Sequence, residues 1–188
     1  MELVWPSLER LPGFAGALRR GWSPDNIRLE KAAREMLARI DADAQSFVDS
    51  LVDREAKGAP ITLPDGTTAQ RLPGYQRWLW DGEFCGTIGL RWQRGTPELP
   101  PHVLGHVGYA VVPWKRNRGY ATQALRLVLA EAAAEGLPYV LITTDLDNVA
   151  SQRVIERNGG TLVGRYVKPA AYGGAESLRY RIVLRGTA

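Results

Sequence analysis

Residues 105–122 read Gly105-His-Val-Gly-Tyr-Ala-Val-Val-Pro-Trp-Lys-Arg-Asn-Arg-Gly-Tyr-Ala-Thr122. The first eight residues predict a β-strand over 105–112, and an apolar-striped helix is predicted over 119–135. A basic turn that contains Gly119 joins them. A strand that runs into such a turn at the start of a helix is a common way to bind phosphate. The glycine spacing fits neither of the two common nucleotide-binding motifs, so the ligand belongs to a different class of phosphorylated molecule.

The turn and the first residues of the helix are the candidates for phosphate binding. Successive backbone N–H groups converge in such a turn, and the helix N-terminus adds a partial positive charge. Glycine lets the backbone approach closely, and arginines offer charge-assisted hydrogen bonds. The alternative is a solvated basic turn without a ligand. The candidates are Arg116, Asn117, Arg118, Gly119, Tyr120, Ala121 and Thr122.

The segments on either side predict a mixed, mostly antiparallel sheet covered by helices, a fold of the α/β (α+β) class. Strand 105–112, helix 119–135 and a strand near 139–145 form a βαβ-type unit, which favours parallel strands. The length of 188 residues indicates one domain over 1–188. The other predicted elements are helical residues 27–57 with a possible break at 41–43, a hairpin of strands 75–80 and 83–92 around Asp81-Gly82, helix 149–158, and strands 161–168 and 177–184.

Composition and charge exclude several classes of protein. The net charge is +4, and only residues 115–118 form a dense basic cluster, which is too short for a nucleic-acid surface. The single cysteine, Cys85, excludes an internal disulfide and a cysteine-rich zinc site, and His102 and His106 lack a carboxylate partner for a metal. The start of the chain has no basic or apolar leader, and no apolar stretch is long enough to span a membrane. We expect a cytoplasmic protein without a metal, nucleic-acid or membrane partner.

Three segments together resemble the GNAT N-acetyltransferase superfamily, in the style of its Rim-type and uncharacterised bacterial branch. They are the strand 105–113, the pattern Arg116-x-x-Gly119-x-Ala121, and Asn148-x-x-Ser151 at the start of a helix that ends in glycine. The six-residue pattern is weak alone and gains specificity from the strand before it and the helix after it. The detailed resemblance covers the acetyl-CoA-binding core, residues 75–168.

The resemblance implies acetyl-CoA as the donor and a small-molecule or peptide amine as the acceptor. It also implies a sheet splayed open between strands 105–112 and 139–145, with the pantetheine arm in the gap. Backbone groups of Val111 and Val112 would then lack a strand partner and bond the pantetheine amides. Asn148 and Ser151 would contact the pantetheine or phosphate portion, although Asn148 is equally suited to cap a helix.

The resemblance also suggests catalytic residues. A lysine-like amine is only about one part in 10³ neutral at pH 7, so a base or a water relay is needed. His106 is the first candidate, because it falls where many relatives have a glutamate; the alternative is a core histidine. Glu83 is a second candidate, since some relatives use an acid from the hairpin. Relatives often protonate the thiolate with a tyrosine at the position of Ile155, so Tyr109 is named as a substitute.

Three functions remain open on these grounds. The first is an N-acetyltransferase, the second is a non-catalytic acyl-CoA-binding or sensor module, and the third is a nucleic-acid partner suggested by the positive charge. The acceptor amine is not determined by the sequence, and a homodimer is possible because family members frequently dimerise. Residues suggested for the acceptor pocket are Trp78, Trp80, Arg91 and Tyr172.

Overall fold

The computed structural model describes residues 1–184 and consists of sheets with helices packed on them. In chain order the elements are β1 (Glu2–Val4), α1 (Leu11–Arg19), α2 (Leu29–Ala42), α3 (Ala44–Asp49), β2 (Val52–Asp53), β3 (Ile61–Thr62), β4 (Thr68–Ala69), β5 (Gly74–Trp80), β6 (Phe84–Arg91), β7 (Val107–Val111), α4 (Tyr120–Ala134), β8 (Tyr139–Asp145), α5 (Val149–Glu156), β9 (Thr161–Val167) and β10 (Glu176–Val183). Over this range no helix has the length and apolar character needed to cross a membrane.

The strands form two principal sheets. The first has the order β1-β5-β6-β7, with β2 also paired to β5, and the second has the order β8-β10-β9. The pairs within both sheets are antiparallel, and β3 and β4 form a separate antiparallel pair. The predicted mixed fold with a mostly antiparallel sheet is therefore confirmed.

The two sheets meet where β7 and β8 lie side by side, and there they diverge. The backbone N–H of His106 donates to the carbonyl of Leu141 at 2.8 Å, and the N–H of Leu141 donates to Nδ1 of His106 at 2.9 Å. Along the rest of these strands the structure has no ladder between β7 and β8. The splay is thus confirmed, and a continuous parallel pair of strands is not formed. An imidazole nitrogen occupies the place of the next backbone acceptor and ends the pairing.

Helices cover both faces of the first sheet, because apolar side chains along its strands point alternately to one face and to the other. On one face Ile88 and Leu90 pack with Leu125 and Val128 of α4. On the other face Phe14 of α1 stacks on Trp78 with ring centroids 5.3 Å apart, and Phe47 and Phe84 complete an aromatic core. Burial of large aromatic side chains is the principal stabilisation of this half of the protein.

The N-terminal third contains the largest differences from the predicted elements. The sequence did not predict β1 or α1. The predicted helical region 27–57 divides at Asp43, whose carboxylate accepts from the N–H of Ser46 and caps α3. The helical part then ends at Asp49 and the short strand β2 follows. The extended backbone of Asp43 ends α2, and its side chain caps the start of α3.

The hairpin of β5 and β6 has a three-residue connection, 81–83, instead of the predicted two-residue loop. A bulge lies beside it, where the register shifts between Leu79 and Trp80. Gly86 in this bulge has a φ of +149°, and a Cβ there would lie 2.2 Å from the carbonyl oxygen of Ala110. Only glycine allows β6 to approach β7 this closely.

Candidate active site

A cleft of about 1190 Å³ is lined by residues on both sides of the gap between β7 and β8. One end is formed by the turn 116–122 and by α5. The other end is formed by the loop between α1 and α2, by Arg91 on β6 and by Tyr172. The cleft therefore connects a phosphate-binding turn with a separate pocket on the opposite face of the first sheet.

The turn before α4 presents several hydrogen-bond donors to the cleft. Asn117 and Gly119 adopt left-handed backbone conformations, with φ of +61° and +74°. The N–H of Gln123 makes the first helical bond, to the carbonyl of Gly119. The N–H groups of residues 120–122 therefore have no acceptor within the helix and suit an anion. Of the seven predicted phosphate ligands, Arg118 lies outside the lining of the cleft. The other six line it: Arg116, Asn117, Gly119, Tyr120, Ala121 and Thr122.

The tip of the β5–β6 hairpin holds this turn in place. The hydroxyl of Tyr120 donates to Asp81 at 2.6 Å, and Nζ of Lys115 lies 2.9 Å from the same carboxylate. The hydrogen bond from Tyr120, followed by that from Lys115, holds the pKa of Asp81 well below its usual range even though burial opposes this. Sequence reasoning missed Asp81 and Lys115, because their contact joins two turns that are distant in the chain.

Glu83 belongs to the same cluster. Its carboxylate lies 3.0 Å from Nζ of Lys115 and is 76% exposed. It does not belong to the lining of the cleft. This position favours an ion pair at the hairpin tip over the predicted catalytic role.

Val111 and Val112 differ in how their backbone groups are used. The N–H of Val112 donates to the carbonyl of Cys85 at 3.0 Å, and its own carbonyl accepts from Lys115. The expectation that its backbone groups are free is therefore wrong. Hydrogen-bonded pairs alternate along an antiparallel ladder, so the backbone groups of Val111 point away from β6 and into the gap. The carbonyl of Val111 accepts from Nε of Arg116 at 3.3 Å, which leaves its N–H as the donor that faces the gap.

His106 is fully buried where the two sheets meet. Burial lowers the pKa of His106 to about 4, so the imidazole is neutral at pH 7. Its Nδ1 already accepts from Leu141, and the side chain does not line the cleft. The predicted role as catalytic base stays a prediction, and the geometry favours a structural joint.

Tyr109 and Ser151 lie next to each other beside the gap, and their predicted roles stay predictions. The tyrosine hydroxyl lies 2.8 Å from Oγ of Ser151 on α5, and both residues line the cleft. Burial raises the pKa of Tyr109 to about 12, so the phenol keeps its proton at neutral pH. Asn148 caps α5 by accepting from the N–H of Ser151 at 3.1 Å. Its Oδ1 is thus engaged in the cap, and its side-chain nitrogen remains for a ligand.

The pocket at the far end of the cleft contains residues from distant segments. The hydroxyl of Tyr172 donates to the carbonyl of His102 at 2.9 Å, and both residues line the cleft together with Arg91. Of the residues suggested for this pocket, Arg91 and Tyr172 are part of the lining. Trp78 and Trp80 are instead part of the aromatic core. Sequence reasoning considered His102 only as a metal ligand and missed its place here.

A family model for the acetyltransferase (GNAT) domain matches residues 25–161. The chain belongs to the GNAT acetyltransferase family. The match spans more than half of the chain and includes the turn, the gap and the start of α5. A search of curated proteins finds no match to this GNAT chain.

Solved structures share the GNAT fold over nearly the whole chain. The microcin C7 self-immunity acetyltransferase MccE, in complex with acetyl-CoA and AMP, is 14% identical with a TM-score of 0.61, over 96% of this chain and 91% of that chain. RimL, the ribosomal L7/L12 α-N-protein acetyltransferase in complex with coenzyme A, is 14% identical with a TM-score of 0.61, over 97% and 93%. An acetyltransferase from Salmonella typhimurium that modifies the N-terminal serine of ribosomal protein L7/L12 is 14% identical with a TM-score of 0.60, over 97% and 94%.

Proposed function

We propose that this GNAT acetyltransferase moves an acetyl group from acetyl-CoA to a primary amine by direct attack in a ternary complex. The observation that carries the proposal is the cleft, which joins the phosphate-binding turn to a second pocket across the gap between β7 and β8. Such a connection lets donor and acceptor bind from opposite faces of the sheet and meet at the gap. The structural neighbours MccE and RimL, solved with acetyl-CoA and with coenzyme A, support the choice of donor.

The residues of the turn fit the pyrophosphate of acetyl-CoA. The N–H groups of residues 120–122 and the guanidinium of Arg116 supply donors and positive charge at one point. Arg153 and Arg157 on the exposed side of α5 line the same end of the cleft and add positive charge. Of the two valines expected to bond the pantetheine amides, Val111 keeps a free N–H within the described residues, and this donor faces the gap.

When bound, acetyl-CoA supplies a thioester whose carbonyl carbon accepts the amine nitrogen. The N–H of Val111 is placed to stabilise negative charge on the thioester oxygen. Tyr109 donates a hydrogen bond to the departing thiolate. Because the pKa of Tyr109 is about 12, well above the roughly 8.5 of a thiol, it stabilises the thiolate without giving up its proton permanently. The attacking nitrogen loses its proton to the base in the far pocket, and the C–S bond breaks as the C–N bond forms. The thiolate leaves hydrogen-bonded to Tyr109 and takes its proton from solvent.

Deprotonation of the acceptor amine is assigned to the far pocket. His102 lines that pocket, and its Nε2 has no hydrogen-bond partner within residues 1–184. Nε2 of His106 is likewise without a partner, but Nδ1 of His106 accepts from Leu141 and the side chain lies outside the lining of the cleft. We therefore favour His102, directly or through water, over His106 as the group that takes the proton.

The experiment is a turnover assay with a panel of amines. Purified protein is incubated with acetyl-CoA and a peptide N-terminus, a polyamine, an aminoglycoside and small amino metabolites, and release of free thiol is measured. We expect release above the rate of hydrolysis with at least one amine, and a matching acetylated product by mass spectrometry. Arg116→Ala should raise the KM for acetyl-CoA by about tenfold, because one charge-assisted contact is lost.

A non-catalytic acyl-CoA-binding module is the second candidate. It is favoured by Ile155, which is completely buried at the position where relatives often have a tyrosine. Micromolar binding of acetyl-CoA in calorimetry, without transfer to any member of the panel, would establish this second function and exclude the first.

A further inference from the structure

One glutamine and two glycines form a row across the first sheet that leads to the gap. Gln76 on β5 lies opposite Gly89 on β6, and Gly89 lies opposite Gly108 on β7. Residues that pair across strands share a face, so these three line one transverse path. All three belong to the lining of the cleft, on the face that carries α1. The two glycines form the floor of a groove that leads from Gln76 to the gap.

Arg91 lies along this groove. It is two residues from Gly89 on the same strand and therefore on the same face. Its Nη2 stands over the glycine floor, since a Cβ on Gly108 would lie 3.4 Å from it. The side chain is exposed to solvent within the cleft and forms part of its lining. The guanidinium therefore projects over the path that an acceptor would take to the gap.

Arg91, like nearby Arg39 and unlike Arg71, has no carboxylate partner in the part of the chain that the structure describes. Arg39 donates to the hydroxyl of Ser50 at 2.8 Å. Arg71 lies 3.8 Å from the carboxylate of Asp53, which also accepts from two backbone N–H groups. No carboxylate within residues 1–184 lies within 4.0 Å of a nitrogen of Arg91. A guanidinium held inside a cleft without a counter-ion is suited to an anion from outside.

Gln76 marks the far end of the groove, two strands from the gap. Its Oε1 is buried and has no hydrogen-bond partner within the described range. The reacting nitrogen of an acceptor therefore lies toward Gly108 and the gap, and the groove behind it leaves room for the rest of a small molecule.

We infer that the acceptor is a small amine that carries an anionic group, a carboxylate or a phosphate, which Arg91 binds while the amine lies in the groove that leads to the gap. This inference rests on the proposed function for the position of the acceptor. It goes further, because it selects one chemical class among the amines. A polyamine or an aminoglycoside, which are purely cationic, is disfavoured by the same guanidinium.

The test compares matched amines that differ only in the anionic group. The protein saturated with CoA is titrated in a calorimeter with β-alanine and β-alaninamide, and with phosphoethanolamine and ethanolamine. We expect at least one anionic member to bind about 10- to 100-fold more tightly than its neutral partner. The pair that discriminates identifies the anion as carboxylate or phosphate. Arg91→Gln should abolish the difference, whereas Arg91→Lys should retain part of it.

A further variant makes the result specific. Arg94→Gln removes the same charge from a neighbouring exposed loop and should preserve the preference. Equal affinity within both pairs, tighter binding of a peptide N-terminus with an amidated end, or no effect of Arg91→Gln would overturn the inference. Since binding is measured without turnover, a catalytically inactive protein would contradict the proposed function and still leave this test valid.

Discussion

At the scale of single residues, Tyr109 is the group that we propose to stabilise the departing thiolate. Its hydroxyl lies 2.8 Å from Oγ of Ser151, which orients it next to the gap. Tyr109→Phe removes one hydrogen-bond donor and little volume. We expect kcat to fall about 10- to 100-fold while the KM for acetyl-CoA changes less than about twofold, because the lost bond is strongest to the departing thiolate. Steady-state kinetics measure both constants. Ser151→Ala keeps the phenol and should lower kcat by less, and an unaltered kcat in Tyr109→Phe would remove this residue from the mechanism.

At the scale of elements, the tip of the β5–β6 hairpin positions the turn that begins α4. The link is the carboxylate of Asp81, which is 14% exposed and bonds Lys115 and Tyr120. Asp81→Asn removes the buried carboxylate of the ion pair and leaves the ammonium of Lys115 with only the exposed carboxylate of Glu83. We expect a loss of stability of about 3 kcal/mol and a KM for acetyl-CoA raised by about fivefold, measured by urea denaturation and kinetics. Glu83→Gln is the control, since that exposed carboxylate contributes little. Equal effects of the two substitutions would place the link elsewhere.

At the scale of the whole molecule, His106 joins the two sheets, and its titration should control their stability. The imidazole titrates near 6.5 when unfolded and about 4 when folded. Between these values the unfolded chain binds a proton that the folded chain does not, so stability is complete above pH 6.5 and falls as the pH decreases toward 4. The loss is about 3 kcal/mol. His106→Asn should lack this contribution, so the stability advantage of the unsubstituted protein should shrink by that amount between pH 7 and pH 4. A constant difference between the two proteins in denaturation curves would contradict the buried neutral state.

The same scale shows which features the sequence determines. The turn that begins α4 and the cap of α5 were predictable, because each depends on residues close in the chain, such as Gly119 and Asn148. Which of Val111 and Val112 keeps a free backbone N–H was not predictable. It depends on which residues of β7 form hydrogen-bonded pairs with β6, next to the bulge at Gly86. The helix α1 was missed because Pro12, Gly13 and Gly16 have poor helix propensity, and packing of the buried Phe14 outweighs that preference. The acceptor pocket combines Gln76, Arg91 and Tyr172, whose proximity no local pattern reports.

Sheet interiors rarely contain two neighbouring strands that remain apart. Over residues 1–184 the two sheets are joined at one end only, and each therefore has an unpaired edge strand at the gap. Unpaired edge strands elsewhere lead to aggregation. A molecule that fills the gap substitutes for the missing ladder and binds only the folded state. Mass action then stabilises the fold by about 2.7 kcal/mol at a concentration one hundred times the Kd. Under the proposed function, acetyl-CoA is therefore also the element that completes the sheet.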